Sequence, residues 1–259
     1  MARRTLAASR RPGPQRAPRV AARLQPAPPR PTFGSLAAIA RAIVACERCP
    51  RLRAHCLRVA QEPPRRYRGQ TYWGRPVPGC GDPRARLLVV GLAPAANGAN
   101  RTGRMFTGDS SGDWLHEALH RFGFARQPHS LSRDDGQRLT DVWITAAARC
   151  APPGNRPMGA ELARCRPFLE AESVRLGRVR VVLVLGRVAH EAWRRAWGGR
   201  RDGRAGDWPR FAHGAEARLP DGRVLLCSYH PSRQNTNTRR LTRAMWHAVF
   251  RRARRILDG

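Results

Sequence analysis

Lysine is absent from this chain of 259 residues, and all 49 of its basic residues are arginine. Acidic residues are also few, at 18, so the formal net charge is +31. A GC-rich genome would explain the use of arginine instead of lysine, but it would not explain the excess of basic over acidic residues. A surplus of this size favours a polyanionic partner, most simply nucleic acid.

Long apolar runs are absent as well. No stretch of 18 or more apolar residues occurs in the sequence, which excludes a membrane-spanning helix. The first residues lack the apolar core of a secretory signal, so we expect a cytoplasmic protein. Their arginine-rich and acid-poor composition also resembles that of an organelle transit peptide, which is the less favoured interpretation.

Acidic residues and periodic apolar positions are both missing from residues 1–31, which are rich in arginine, proline and alanine. A segment of this composition cannot bury a core, so we predict a disordered basic arm. The remaining residues, 32–259, are numerous enough for one folded domain with a substantial core.

Within that domain, four short apolar runs are typical of buried strands: 87–90, 142–145, 181–185 and 224–228. Helical patterns lie between or after them, at 111–121, 159–176, 187–197 and 238–256. Strands that alternate with helices predict an α/β fold with a parallel sheet covered on both faces. Segments 128–137 and 198–208 are predicted to be surface insertions.

A glycine-rich segment, GLAPAANGANRTGRMFTGD at residues 91–109, follows the first predicted strand and precedes a predicted helix. Glycines allow the backbone to turn sharply and to approach a ligand closely. A loop of this kind at the carboxyl end of a strand is where α/β folds bind ligands, and a helix N-terminus suits anions. We therefore predict a binding site here, because an ordinary connection is usually shorter.

Seven cysteines in a reducing compartment favour metal or cluster ligation over disulfides. Cys46 and Cys49 form a C-x-x-C motif at the end of a helical pattern that begins at Phe33. Cys150 directly follows the second predicted strand, and Cys165 lies in the next helix. Four thiolates would suit tetrahedral zinc or a [4Fe–4S] cluster, but spacing alone leaves open whether they share one site.

The other three cysteines fit a structural role better. Cys227 alternates within an apolar strand and is predicted to be a small core side chain, and Cys80 is predicted to be structural too. Cys56 is a less favoured substitute ligand.

A histidine follows the last predicted strand, in the segment SYHPSRQNTNT at residues 228–238. His230 is followed by a proline and lies in a polar, turn-rich loop. A lone histidine is more often a satisfied structural residue than a catalyst. Here, however, the carboxyl end of its strand faces the same edge of the sheet as the glycine-rich loop, which favours a functional role.

Four motifs together resemble the uracil-DNA glycosylase superfamily: the C-x-x-C motif, GLAPAANGANRTGRMFTGD, CAPPGNRP and HPSRQNTNTRRLT. They are most similar to the type-5 branch, which contains broad-specificity iron–sulfur enzymes, and the resemblance covers about residues 35–257. It implies that residues 32–259 form a catalytic domain, a three-layer α/β/α sandwich with a central four-stranded parallel sheet. It also implies a [4Fe–4S] cluster, remote from the catalytic centre, on Cys46, Cys49, Cys150 and Cys165, with zinc as the runner-up.

The resemblance implies hydrolysis of the N-glycosidic bond of a damaged base, after the nucleotide is flipped out of the DNA stack. Phe106 would stack on the flipped base, although without the motif it would pass for a core phenylalanine. His230 would donate a hydrogen bond to the base oxygen that gains negative charge. The attacking water would be positioned by Asn97, Asn100 or Asp109.

Two departures from better-known branches concern specificity. Classical enzymes have an aspartate where this chain has Ala93, and type-4 relatives have an asparagine where it has Ala146. A pocket without that amide loses a hydrogen-bond readout that rejects wrong bases. We therefore expect activity on uracil and on bases such as hypoxanthine, xanthine or ethenocytosine, in a pocket lined by Gly91, Ala93, Asn97 and Asn155.

We expect residues of the loop after His230 to contact DNA. The alternative is that they are exposed polar residues without a functional role. The candidates are Ser232, Arg233, Gln234 and Asn235. Because strand-nicking glycosylases usually form a Schiff base through lysine, a chain without lysine is expected to be monofunctional and to leave an abasic site. We expect a monomer that acts on double- or single-stranded DNA at the bacterial nucleoid.

Two other functions remain open at this point. The first is a non-catalytic DNA-binding protein on the same fold, stabilised by a cluster or by zinc. The second is a nucleotide-binding enzyme that uses the glycine-rich loop as a phosphate cradle. Against the second, the loop lacks the Gly-Lys-Ser/Thr ending of a P-loop and does not match G-x-G-x-x-G at the end of the strand.

Overall fold

The computed structural model describes residues 33–198 and 208–259. The predicted disordered arm, residues 1–31, lies outside the described residues, as does most of the predicted insertion at 198–208. In the described part of the chain, no helix is both long and apolar enough to cross a membrane.

The described residues contain one six-stranded sheet. Its strands are β1 (Cys80–Gly81), β2 (Leu87–Gly91), β3 (Val142–Ala146), β4 (Val181–Leu185), β5 (Glu216–Arg218) and β6 (Val224–Ser228). The spatial order is β1-β3-β2-β4-β6-β5, and the four central strands are parallel. Every residue of these four is buried, because helices cover both faces of the sheet.

The prediction of four parallel strands is thus confirmed, with bounds within one residue of those expected. It omitted the two edge strands, β1 and β5, which pair antiparallel with β3 and β6. These strands have two and three residues, too few to carry a periodic apolar pattern. Their pairing depends on the neighbouring strand and not on their own sequence.

Eight α-helices lie in the described residues: α1 (Leu36–Val44), α2 (Pro50–Gln61), α3 (Ala99–Thr102), α4 (Ser110–Arg121), α5 (Gly159–Arg175), α6 (Arg187–Gly198), α7 (Arg233–Asn237) and α8 (Arg243–Asp258). Short 3-10 helices lie at Arg65–Tyr67 and Pro153–Asn155. Helix α2, which begins directly after the C-x-x-C motif with Pro50 in its first turn, was not predicted.

The sheet separates two apolar layers, as expected for an α/β/α sandwich. On one face, Leu87 and Val89 pack with Leu115 of α4 and Phe250 of α8. On the other face, alternate residues of the same strands pack with α5 and α6, and Trp193 is fully buried there. This alternation follows from the two-residue period of a strand.

The last predicted helix, at 238–256, corresponds to α8, which begins five residues later than predicted, at Arg243, and a separate short helix, α7, precedes it. Arg239 has a φ of +58°, a left-handed conformation that ends a right-handed helix. Thr242 then caps α8, where its hydroxyl accepts a hydrogen bond from Met245 N at 3.3 Å. The loop with His230 is therefore followed by a short helix of its own.

The register of the parallel strands aligns their carboxyl ends. Gly91 at the end of β2 is paired with Ala146 at the end of β3, and Leu185 of β4 is paired with Ser228 of β6. The connections that follow these strands therefore leave the sheet at one edge, where α/β folds bind ligands.

Candidate active site

The glycine-rich loop runs from the end of β2 to the start of α4 and contains the single turn of α3. Phe106 near its end has a φ of +52°, a backbone conformation that is uncommon for a residue with a bulky side chain. Its ring is largely buried, at 8% exposure. A strained, well-packed residue of this kind is typical of a functional site.

Glycines make room for Phe106 on two sides. A Cβ added to Gly91 would lie 2.7 Å from both Cε2 and Cζ of the ring. A Cβ on Gly112, in the first turn of α4, would collide with the Phe106 carbonyl oxygen. Gly91, predicted to line the substrate pocket, is therefore the residue against which the Phe106 ring is placed.

His230 lies beside Phe106. The two ring centroids are 6.0 Å apart and the ring planes are inclined by 33°. The His230 side chain belongs to the loop after β6, so two loops that are distant in sequence meet at one edge of the sheet, as predicted.

Burial lowers the pKa of His230 to about 4. Its imidazole is therefore neutral near pH 7, with one N–H available as a donor and no charge of its own. The backbone of its loop is held by Asn235, whose Nδ2 donates to the His230 carbonyl oxygen at 2.8 Å.

Asp109, one of the three residues predicted to position water, caps helix α4. Its Oδ1 accepts hydrogen bonds from Ser111 N and Gly112 N, both at 2.9 Å. Its other oxygen lies so close to Gly98 that no Cβ would fit there. Burial raises the pKa of this carboxyl group, although the two backbone hydrogen bonds oppose the shift.

The two asparagines of the loop have different environments. Asn100 is buried, and its Nδ2 donates to the Cys56 carbonyl oxygen at 3.2 Å. Its Oδ1 has no hydrogen-bond partner among the described residues. Asn97 is half-buried, and its Oδ1 accepts from the Tyr72 hydroxyl at 2.8 Å.

Two arginines that the sequence analysis did not single out hold the loop. Arg101 donates to the carbonyl oxygens of Asn97 at 2.9 Å and Gly108 at 3.0 Å, one on each side of Phe106. Arg104 donates to the Thr107 hydroxyl at 3.1 Å and pairs with Asp135 at 2.6 Å. In the sequence, the only sign of their role is that both arginines lie within the glycine-rich motif, because their hydrogen-bond partners depend on the folded backbone.

The remaining pocket and DNA candidates are spread along the same edge. Ala93 is half-buried in the loop after β2, whereas Asn155 is exposed in the loop after β3. No hydrogen bond joins Asn155 to Phe106 or His230 in the part of the chain that the structure describes. Ser232 precedes α7, Gln234 is exposed, and Arg233 donates to the Ser110 hydroxyl at 3.3 Å.

The four predicted cysteine ligands come together from two parts of the chain. Burial raises the pKa of Cys165, and the nearby thiols of Cys49 and Cys46 add to that effect. Cys49 and Cys150 belong to one apolar cluster. Burial also raises the pKa of Cys49, against an opposing hydrogen bond from Arg164.

Cys56 is a neighbour of this group, because its thiol is hydrogen-bonded to Cys150 and donates to the Ala151 carbonyl oxygen at 3.7 Å. All seven cysteines are free thiols. No group of three histidine, cysteine, aspartate or glutamate side chains in the described ranges is arranged to hold a metal ion. The four thiols are neighbours, but they do not converge on one point.

Most of the candidate site residues lie in a part of the chain that matches one protein family. The sequence profile of the Uracil DNA glycosylase superfamily matches residues 78–254 of the chain. This interval contains the glycine-rich loop, Cys150, Cys165 and the His230 loop, and it leaves out α1 and α2 with the C-x-x-C motif.

Individual proteins are similar over a longer stretch. The chain is 49% identical over 219 residues to a type-5 uracil-DNA glycosylase of Thermus thermophilus, which covers 85% of this chain and 97% of that protein. It is 48% identical over 224 residues to a type-5 uracil-DNA glycosylase of Mycobacterium leprae, at 86% and 96% coverage. A type-4 uracil-DNA glycosylase of Pyrobaculum aerophilum is 32% identical over 158 residues, at 60% and 71% coverage.

Proposed function

The chain belongs to the Uracil DNA glycosylase superfamily, and on that premise we propose that it is a monofunctional DNA glycosylase. It hydrolyses the N-glycosidic bond of uracil and of other deaminated or damaged bases and leaves an abasic site, as base excision repair requires. The observation that carries this proposal is the 6.0 Å between the Phe106 and His230 rings. That distance gives a single base a stacking surface and a hydrogen-bond donor.

Base capture depends on Phe106. The target bond is inaccessible inside a duplex, so the nucleotide is flipped out at a cost of a few kcal/mol, which is lowest for a damaged or mismatched base. The ring of Phe106 then stacks on the base. Its close contact with the backbone of Gly91 keeps the ring in place during stacking. The strained backbone of Phe106 is fixed before DNA binds, so no ordering is needed at capture.

Bond cleavage depends on His230. As the glycosidic bond breaks, negative charge develops on the base and is greatest at its oxygen. A neutral imidazole N–H in a buried position stabilises that charge in the way an oxyanion hole does. Because burial keeps the pKa of His230 at about 4, the residue acts as a hydrogen-bond donor and not as a general acid near neutral pH.

The attacking water needs an acceptor to orient it. Asn100 and Asp109 are the proposed positions, because Asn100 Oδ1 and the second carboxylate oxygen of Asp109 have no hydrogen-bond partner among the described residues. Asn97 is the weaker candidate, since its Oδ1 already accepts from Tyr72.

The proposed broad specificity follows from the lack of an amide and of a carboxylate at two positions of the pocket. Ala146 ends β3 directly beside Gly91 of β2, so the position next to the Phe106 ring has a methyl group in place of an amide. Ala93 likewise brings no carboxylate. A pocket without a base-reading amide tolerates uracil, hypoxanthine, xanthine and ethenocytosine; of these bases, the names of the type-5 uracil-DNA glycosylase relatives support uracil.

DNA is held by the segment from Ser232 to Gln234 and by the arginine surplus. Arg233 and Gln234 are exposed beside the site, where they contact phosphates or fill the space that the flipped nucleotide leaves. Asn235 acts indirectly, through its hydrogen bond to the His230 carbonyl. We propose a monomer in a bacterial cytoplasm, in keeping with the bacterial relatives.

A [4Fe–4S] cluster is the proposed cofactor, with Cys46, Cys49, Cys150 and Cys165 as ligands. Four cysteine thiolates are the usual ligands of such a cluster, and the four thiols are neighbours in the fold. Zinc is the runner-up, because four sulfurs can also hold it in a tetrahedral site. These cysteines would hold the cluster between the start of α2, the loop after β3 and α5.

Uracil release under single-turnover conditions tests the function. We expect release from a uracil-containing oligonucleotide and no strand cleavage until alkali is added. His230→Ala should slow release by about 10²- to 10³-fold, the usual cost of losing one such donor, with little change in affinity for abasic DNA. A wild-type rate in this variant would overturn the role of His230, and absence of release by the native enzyme would favour a non-catalytic DNA-binding protein.

A further inference from the structure

A cavity of about 360 Å³ lies between β1, α4 and the segment before β3. Its walls are formed by Cys80, Gly81, Arg104, His116, Gln137, Arg138 and Leu139. Neither Phe106 nor His230 is among them, so the cavity is distinct from the proposed base pocket. His116 is its only histidine, and that side chain is 1% exposed.

The neighbouring amide determines where His116 carries its proton. Gln137 Oε1 accepts from Gln127 N at 3.3 Å, while Gln137 Nε2 donates to the carbonyl oxygens of Gln127 at 2.8 Å and His129 at 2.9 Å. These contacts fix the orientation of the amide, and Nε2 can only donate. His116 Nδ1 lies 3.1 Å from that Nε2, whose two hydrogens are shared among three acceptors. Because the amide nitrogen cannot accept a hydrogen bond, Nδ1 is the unprotonated ring nitrogen and the imidazole proton is on His116 Nε2.

That Nε2–H group lacks an acceptor. It is buried, and it has no hydrogen-bond partner among the described residues. A buried donor without a partner is costly and uncommon in native proteins. Because His116 lines the cavity and its other ring nitrogen is already bonded, a ligand in the cavity is the candidate acceptor.

The charge around the cavity favours an anion. Two of its walls are arginines, Arg104 and Arg138, and no carboxylate is among the lining residues. The charge of Arg104 is already balanced by Asp135, at 2.6 Å behind it. Arg138 lines the cavity, is exposed, and forms no ion pair among the described residues, so its charge is left for a ligand.

We propose that this cavity binds a phosphate-type oxyanion, which accepts a hydrogen bond from His116 Nε2 and pairs with Arg138. The phosphate group comes either from free phosphate or from the DNA backbone. Arg104 forms one wall and also holds Thr107, next to Phe106. The anion is therefore bound directly behind the loop that, on the proposed function, captures the base.

Phosphate binding to the full-length protein without DNA tests the site. Isothermal titration with inorganic phosphate should give a saturable signal. His116→Phe removes the donor but keeps a planar ring, and Arg138→Gln removes the charge at the mouth. Each should weaken phosphate binding by at least about tenfold, whereas Arg121→Gln, an exposed arginine on α4 that does not line the cavity, should leave it unchanged.

Three results would overturn the proposal: no saturable phosphate binding, full binding by His116→Phe, or an equal loss in Arg121→Gln. If His116→Phe fails to fold, the test is the phosphate affinity of the Arg138→Gln variant, compared with that of the Arg121→Gln control. Affinity for an abasic duplex distinguishes the sources: both variants lose affinity if the phosphate belongs to DNA, and neither does if it is free. Since the titration contains no DNA, its failure is independent of the glycosylase assay.

Discussion

Phe106 combines three features that are rarely found in one residue. Its φ is +52°, a conformation that costs a bulky residue about 1–3 kcal/mol. Its ring lies against the backbone of Gly91, and its carbonyl lies against Gly112. These close contacts maintain the strained backbone, and they fix the ring beside His230 whether or not DNA is bound.

Replacing Gly91 by alanine should therefore damage base capture. The added Cβ would lie 2.7 Å from two ring carbons of Phe106, so the ring must shift. We expect uracil release to slow by about 10²-fold, as a misplacement of order 1 Å typically does. The measurement is the single-turnover rate, with Gly177→Ala as the control because its Cβ meets nothing within 4 Å. A wild-type rate in Gly91→Ala would show that the ring position is not limiting.

At the level of elements, the glycine-rich loop is an ordered structure and not an open connection. The short helix α3 forms inside it, Asp109 closes it by capping α4, and Arg101 bridges the carbonyls of Asn97 and Gly108. A third hydrogen bond joins Arg101 to Gln70 at 2.9 Å. The loop is thereby tied at both ends, which positions Phe106 between them.

Arg101→Gln should loosen this loop. Loss of its hydrogen bonds to two carbonyl oxygens is expected to reduce the free energy of unfolding by about 1–3 kcal/mol and to slow uracil release as well. Urea unfolding and the single-turnover rate measure the two effects. Arg68→Gln, which removes the same charge from a nearby exposed position, is the control; equal effects in both variants would mean that charge, and not the bridge, is responsible.

The cysteine group joins segments that are distant in sequence. Helix α2 begins after Cys49, and α5 carries Cys165. A buried ion pair between Arg149 and Glu172, at 2.6 Å, joins the residue before Cys150 to the same helix α5. This pair fixes two of the proposed ligand segments independently of any cofactor.

Cys165→Ser should reduce bound iron and the visible absorption of an iron–sulfur cluster, and it should lower the melting temperature, because metal binding is coupled to folding. Cys227→Ala, a buried cysteine in β6 away from the group, should keep the iron of the native protein. Iron analysis and visible spectra decide the matter. Unchanged iron content in Cys165→Ser would contradict the ligand assignment and would favour Cys56 in its place.

For the molecule as a whole, the sheet creates both the site and its electrostatics. Its parallel strands bring the loops after β2 and β6 to one edge, where His230 lies, and its helical layer buries His116 of α4. Burial is the main cause that lowers the pKa of both histidines to about 4. Both are neutral donors in a chain whose net charge is +31.

This burial predicts that stability decreases in mild acid. The two folded pKa values of about 4 lie below the usual 6.5, so the unfolded chain binds more protons in that interval. The free energy of unfolding should therefore fall as the pH is lowered from about 6.5 to 4, by up to about 3 kcal/mol per histidine. Urea unfolding across this range should show a shallower slope for His116→Gln than for the native chain, and no change for His120→Gln, an exposed histidine on the same helix.

Much of the fold was predictable from the sequence, because the relevant signals are local. The four central strands are continuous apolar runs, as burial on both faces requires, and their alternation with helices implies parallel order. His230 could be assigned to the binding edge for the same reason, since it follows a strand of that sheet, whereas Phe106 was assigned through the resemblance of its motif to a known family.

What only the tertiary structure decided depends on contacts between distant segments. The edge strands β1 and β5 exist because a neighbour offers free backbone groups, and the break between α7 and α8 depends on a left-handed Arg239. The bridge made by Arg101 and the unpaired nitrogen of His116 involve carbonyls, amides and cavity walls from elsewhere in the chain. A local pattern specifies which residues are buried, whereas the partner of each buried polar group is set only when the layers pack.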